Sequence, residues 1–181
     1  MSEVRATQNE ASFIEQPVVF KGEDDPALLK QIEALRLEVW GELVGTELAV
    51  KRFGLDPFDN KAWHVAYLDE GSVIASGRLI IATCQSDVPD LCSFGPYLDL
   101  MEYPTGFLNR LLVARMFRGR GMAPSLIRAR IRLALEHGVT NLWAESQSHT
   151  VPSMEKHGFR EVGPSLDKLI VGDWRVMRRN T

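Results

Sequence analysis

The chain has 181 residues, 45% of them apolar and 25% charged, a balance that supplies a sizeable core and excludes wholesale disorder. A formal charge of −3 gives no general pull toward nucleic acid or an anionic membrane, and no apolar run approaches the roughly 20 residues of a membrane span. Two cysteines, Cys84 and Cys92, and a start with no apolar core segment fit a cytoplasmic protein with reduced thiols and no secretory signal.

Residues 1–16 are polar and aperiodic and read as a flexible N-terminal arm, with residues 17–181 forming a single domain. Pro17-Val18-Val19-Phe20 reads as a strand, and Asp25-Pro26 as the cap and first turn of a helix. Leu28, Leu29, Ile32, Leu35, Val39 and Trp40 recur at helical spacing, which predicts about four turns ending at Gly41. Residues 42–61 break up around Gly45, Gly54 and Pro57 and read as a loop with a short helical piece. Two strand-like runs, 62–68 and 72–83, flank Asp69-Glu70-Gly71 and predict a β-hairpin. Residues 84–105 hold three prolines and form a long connection expected to border a site. Strands follow at 107–114, 141–145, 159–162 and 169–177, with a long helix stopped by Gly138 and a short helix over 152–157 between them. The alternation of strands and helices around one hairpin predicts an α/β fold with a mixed sheet.

The sharpest chemical signal is the passage from the strand Leu111-Leu112-Val113 through Arg118-Gly119-Arg120-Gly121-Met122-Ala123 into the long helix. The glycines let backbone approach a ligand, and the helix N-terminus offers unpaired N–H groups and a positive dipole end, a combination suited to a pyrophosphate. Seven arginines and no acid or lysine fall between residues 109 and 135, a local anion field in an acidic chain. Of these, Arg128, Arg130 and Arg132 lie in the helix body and read as a solvated face.

The strand, the run Arg118-x-x-Gly121-x-Ala123, the following helix, the strand around Trp143 and the ending Glu155-Lys156-His157-Gly158-Phe159 together resemble the GCN5-related N-acetyltransferase (GNAT) superfamily over residues 18–177. The resemblance implies a mixed, mostly antiparallel sheet of six to seven strands flanked by helices and splayed between the strands at 107–114 and 141–146. Acetyl-CoA or another acyl-CoA would lie in that gap as co-substrate, with the backbone of Leu112 and Val113 on pantetheine and Arg118, Gly119, Arg120, Gly121, Met122 and Ala123 on the pyrophosphate. A second similarity, carried by Arg36-x-x-x-Trp40, Asp56-x-x-Asp59, Arg78-Leu79 and Asn109-Arg110-Leu111, is to the acyl-homoserine lactone synthases and N-acyl amino acid synthases, which commonly use acyl carrier protein. Phe107-Leu108-Asn109-Arg110 lacks the acidic residue those enzymes carry before the arginine. Asp59-x-x-x-x-His64 also resembles a broad set of bacterial acetyltransferases.

Acyl transfer from a thioester to an amine needs a deprotonated amine, a stabilised oxyanion and a protonated leaving thiol. The resemblance implies the strand amide near Val113 as oxyanion donor, and Glu145 and His149 are the candidate bases. The superfamily often places a tyrosine acid where this chain has Met154. Arg36, Asp56, Asp59, Arg78 and Arg110, with His64 beside them, read as a buried ion network or as contacts to a cationic substrate; Arg78 in an apolar strand demands a carboxylate partner. Trp40, Trp63, Trp143 and Trp174 read as core, and the cysteines as buried, with no metal spacing among the cysteines and histidines. The expected activity is N-acyl transfer to a small-molecule or protein amine, with neither nucleic acid nor membrane as partner and a homodimer as an option. The alternatives are a carrier-protein-dependent synthase and a non-catalytic acyl-CoA sensor.

Overall fold

A computed structural model of the chain describes residues 16–167 and 172–180. The expected N-terminal arm and the start of the expected last strand lie outside the described residues, save Gln16. The elements in chain order are β1 (Val18–Lys21), α1 (Pro26–Val44), α2 (Thr46–Phe53), β2 (Trp63–Asp69), β3 (Ser72–Ala82), α3 (Leu91–Phe94), β4 (Thr105–Val113), α4 (Met122–Glu136), β5 (Asn141–Gln147), α5 (Val151–Glu155), β6 (Arg160–Pro164) and β7 (Trp174–Asn180). The strands form one seven-stranded sheet in the order β1-β2-β3-β4-β5-β7-β6. Only β4 and β5 run parallel, so the sheet is mixed and mostly antiparallel, as the resemblance implies.

Local chemistry sets the boundaries. The Asp25 carboxylate accepts from the Leu28 amide at 2.9 Å and caps α1, with Pro26 in the first turn. That helix runs through Gly41, where the sequence reading ended it, and stops at Gly45, whose φ of 86° a side chain would oppose. Within residues 42–61, expected to be a loop with a short helical piece, that piece is the regular helix α2. Glu70 and Gly71 both take positive φ and make the two-residue turn between β2 and β3. At the far end of α4, Gly138 has φ 72° and its amide bonds back to Leu135 O, so the predicted stop stands.

Strand alternation sorts the core onto two sheet faces. Val65, Tyr67, Leu79, Leu108, Leu142 and Ala144 face α4 and its Met122, Leu126, Ile127 and Ala134. On the other side, α1 covers Ala66, Val73 and Leu112 with Ile32, Leu35 and Val39. The connection between β3 and β4 covers Ile80, Phe107, Trp143 and Val176 with Val88, Phe94 and Met101. The long connection is thus largely a structural cover, and its short α3 carries Ser93 to the site described below.

Candidate active site

β4 and β5 pair in parallel only from Thr105↔Asn141 to Leu108↔Ala144, and beyond that pair they part. Against its other neighbour β4 also departs from register: Ser76 opposes Leu112 and Arg78 opposes Asn109, so β4 carries an extra residue in a bulge. Arg110 sits in that bulge with φ 53°, a left-handed conformation unfavourable for an arginine. Fork and bulge together open a cleft of about 780 Å³ lined on one side by Leu108 to Val113 and on the other by Ala144 to Gln147.

One end of the cleft is the turn into α4. Gly119 and Gly121 have φ 79° and 78°, and a Cβ built on either meets nothing within 4 Å. No side chain caps α4, leaving its first amides to face a ligand, and Gly119, Gly121, Met122, Ala123 and Pro124 line the cleft. These residues fit a pyrophosphate. Arg118 lines the cleft as well and folds back so that Nε donates to Val113 O at 3.1 Å. Arg120 is exposed, lies 5.0 Å over Phe117, and stands outside the lining of the cleft.

The other end is apolar and aromatic: Val39, Trp40 and Leu43 of α1, Phe53 of α2 and Trp174 of β7. Trp40 and Phe53 stack at 4.0 Å with planes 3° apart, and Trp174 lies 6.3 Å from Trp40. Trp143 is core as expected, but Trp40 and Trp174 are cleft walls, which corrects their reading as plain core. Lys51, Arg52, Asp90 and Asp167 stand beside them, with Arg52 paired to Asp167.

Beneath the bulge, the structure brings Arg36, Asp56, Asp59, Arg78 and Arg110 into one network. Arg36 donates to both oxygens of Asp59, at 2.9 and 2.7 Å. Arg78 Nη1 reaches Asp56 at 2.7 Å and Asp59 at 3.0 Å, while its Nε donates to Asn109 Oδ1 at 2.9 Å. Arg110 donates to Asp56 at 3.2 Å and to Arg52 O at 2.9 Å. Burial acts to raise both aspartate pKa values, but the hydrogen bonds and charges of the arginines outweigh it and hold both carboxyls below their ordinary range. His64 is buried, hydrogen-bonds Asp59 O at 2.9 Å and stacks on Phe20 at 5.5 Å; burial lowers its pKa, against the pull of Asp59. It braces the aspartate loop and lies outside the lining of the cleft.

Glu145 lines the cleft on β5, half-buried, and accepts from Ser93 Oγ at 2.9 Å. Burial pushes its pKa up, partly offset by the Ser165 and Ser93 hydroxyls. His149 is exposed at the cleft edge, in the turn before α5. Met154 is 7% exposed and contributes a thioether to the wall, with no proton to donate.

Sequence reasoning missed Arg130. Read as part of a solvated face, it is 1% exposed, and its guanidinium donates to Leu126 O, Arg78 O and Asn109 O, each at 3.1 Å. The signal was available, because position 130 falls at helical spacing between Leu126 and Ala134 on the buried stripe of α4. Cys84 and Cys92 are exposed thiols, not buried ones, because they sit on the surface of the long connection. Among the described residues, no three His, Cys, Asp or Glu side chains cluster to hold a metal, and no helix is long and apolar enough to cross a membrane.

A mostly antiparallel seven-stranded sheet flanked by helices and parted between β4 and β5 is a GNAT-like architecture. The chain belongs to the acetyltransferase (GNAT) family, whose model matches residues 29–159. No curated protein matches the sequence. Among solved structures, an acyl-CoA N-acyltransferase from Pseudomonas aeruginosa is similar with a TM-score of 0.66 at 18% identity, over 90% of this chain and 97% of the other. BjaI, a CoA-dependent acyl-homoserine lactone synthase solved with MTA, gives 0.70 at 19% identity, over 91% and 82%. The AHL synthase LasI gives 0.69 at 20% identity, over 91% and 89%. At such identities the likeness is one of fold.

Proposed function

We propose that this chain is an N-acyltransferase that moves an acetyl or short acyl group from acyl-CoA directly to an amine, most simply that of a small molecule. The observation that carries the reading is the cleft between the parted β4 and β5, which ends at the uncapped N-terminus of α4. In this reading the turn from Arg118 to Ala123 holds the pyrophosphate and the edge of β4 at Leu112 and Val113 pairs with pantetheine. Glu145, across the fork and with its pKa raised by burial, takes a proton from the acceptor ammonium. The free amine then attacks the thioester carbonyl, a C–N bond forms, the C–S bond breaks, and the thiolate collects a proton to leave as CoA. Trp40, Phe53 and Trp174 offer the acceptor or the acyl tail an apolar seat.

Titration of the protein with acetyl-CoA and with CoA, followed by thiol release in a mixed amine pool, tests this directly. Micromolar binding with amine-dependent release supports it, and absence of binding to both ligands overturns it. A second reading, a synthase taking acyl chains from carrier protein to an amino acid derivative, is favoured by the closed network of Arg36, Asp56, Asp59, Arg78 and Arg110. Asp90 Oδ2, 3.5 Å from the Asn109 amide, places a carboxylate beside the strand position that lacks one in sequence. Faster transfer from acyl carrier protein than from CoA thioesters would favour that reading over the first. A carrier role without turnover, as an acyl-CoA sensor, would appear as binding with no amine accelerating thiol release.

A further inference from the structure

Arg130 is a buried cation, and among the described residues no carboxylate pairs with it. Its three hydrogen bonds go to backbone carbonyls, one on its own helix, one on β3 and one on β4 at the edge of the bulge. Room is made for it by Gly77, the residue of β3 that the register skips opposite the bulge: a Cβ there would stand 2.8 Å from Arg130 Cζ and Nε. The same arginine lines the cleft alongside Leu108 to Val113. One side chain therefore joins the helix that bears the pyrophosphate turn to the two strands whose separation makes the fork.

We propose that Arg130 is the positioning residue of the transfer step, clamping the β4 bulge and holding a positive charge under the fork where the thioester sulfur lies. The inference rests on the acyl-CoA reading above. If pyrophosphate lies on the α4 turn and pantetheine runs along β4 past Val113 and Leu112, the reacting end arrives at the bulge that Arg130 ties down. As the C–S bond breaks, the electron pair collects on sulfur, and a nearby cation lowers the energy of that thiolate before it is protonated. Met154 supplies no acid for the leaving group, and a cation beneath the fork would stabilise the thiolate before it is protonated.

The surrounding charges permit this. Arg36 on α1, Arg78 on β3 and Arg110 on β4 face Asp56 and Asp59 of the loop before β2, Asp90 before α3 acts on Arg78 and Arg110, and Arg130 on α4 meets backbone carbonyls. Burial raises the pKa of Glu145 on β5 and lowers that of His64 on β2. Burial draws the Arg130 pKa down to about 9, which still leaves it charged near neutral pH.

The test is the pKa of the CoA thiol in the complex, followed by far-ultraviolet thiolate absorbance, which needs no acceptor. The wild-type complex is expected to titrate about one unit below free CoA. Arg130→Lys should keep a lowered value, and Arg130→Met should return it to that of free CoA, both read at saturating CoA so that a change in affinity does not enter. Gly77→Ala, which displaces the guanidinium without removing its charge, should give an intermediate value and keeps the test open if Arg130→Met does not fold. A merely structural role would change stability and affinity but not the thiol pKa. Binding of CoA with an unshifted thiol in the wild type overturns this inference alone, whereas failure of the wild type to bind CoA overturns the donor reading and this inference with it.

Discussion

Arg36 and Asp59 form a two-point ion pair, 2.9 and 2.7 Å long, in which neither side chain is more than 1% exposed. Removing the carboxylate would strand Arg36 and weaken the hold on Arg78, so Asp59→Asn is expected to cost about 3–5 kcal/mol. The pair also sets acid sensitivity. Asp59 is more acidic folded than unfolded, so its contribution is fully present above the unfolded carboxylate pKa of about 3.9 and is lost as pH falls below it. Urea melts across the acid range should show wild-type stability falling below about pH 4 and a shallower fall for Asp59→Asn. An unchanged acid slope would mean that other carboxylates dominate.

Much of this arrangement was legible before the fold was known, and where it was not the reason is physical. The hairpin, α4 and its Gly138 stop follow from periodicity and from glycine's freedom at positive φ, which are local properties. An arginine in the apolar strand at position 78 required a carboxylate, and Asp56 and Asp59 answered it. The extension of α1 past Gly41 was hidden because a single glycine costs a helix only about 1 kcal/mol, which tertiary packing readily covers. Helical spacing marked position 130 as buried, but its partners were hidden: they are carbonyls of two strands, and main-chain acceptors leave no residue type to read. Trp40 and Trp174 lie on periodic segments whether they fill a core or wall a cleft, so only the parting of β4 and β5 distinguishes the two.

Gly121 offers a clean separation of fold from ligand. Its φ of 78° makes any side chain strained by about 1–2 kcal/mol, yet open space surrounds the position. Gly121→Val should therefore lower the melting temperature by only a few degrees. The new methyl groups would stand in the mouth of the cleft, and calorimetry should show CoA affinity reduced more than tenfold. Wild-type affinity in this variant would remove the α4 turn from the donor site.

Met154 packs into the wall of the cleft and donates nothing. Replacing it by Leu conserves volume and should cost less than about 1.5 kcal/mol. Turnover of acetyl-CoA with an accepted amine should stay within about threefold of wild type. A tenfold drop in kcat with unchanged KM would show that the thioether itself contacts the reacting atoms.

Glu145 is the residue on which pH dependence should turn. Burial raises its pKa, so its basic form is lost as pH falls at a point higher than for an ordinary glutamate. The acid limb of kcat/KM should therefore lie above pH 4.3, the usual glutamate value of about 4.3 marking its lower bound. The Ser93 hydroxyl, 2.9 Å from Glu145 Oε1, stabilises the carboxylate, and Ser93→Ala should move that limb to still higher pH. Glu145→Gln should lower kcat/KM by about 10²–10⁴ and erase the limb while leaving CoA affinity unchanged. If Glu145→Gln keeps both its rate and its acid limb, the base lies elsewhere, and His149 at the cleft edge is the next residue to replace.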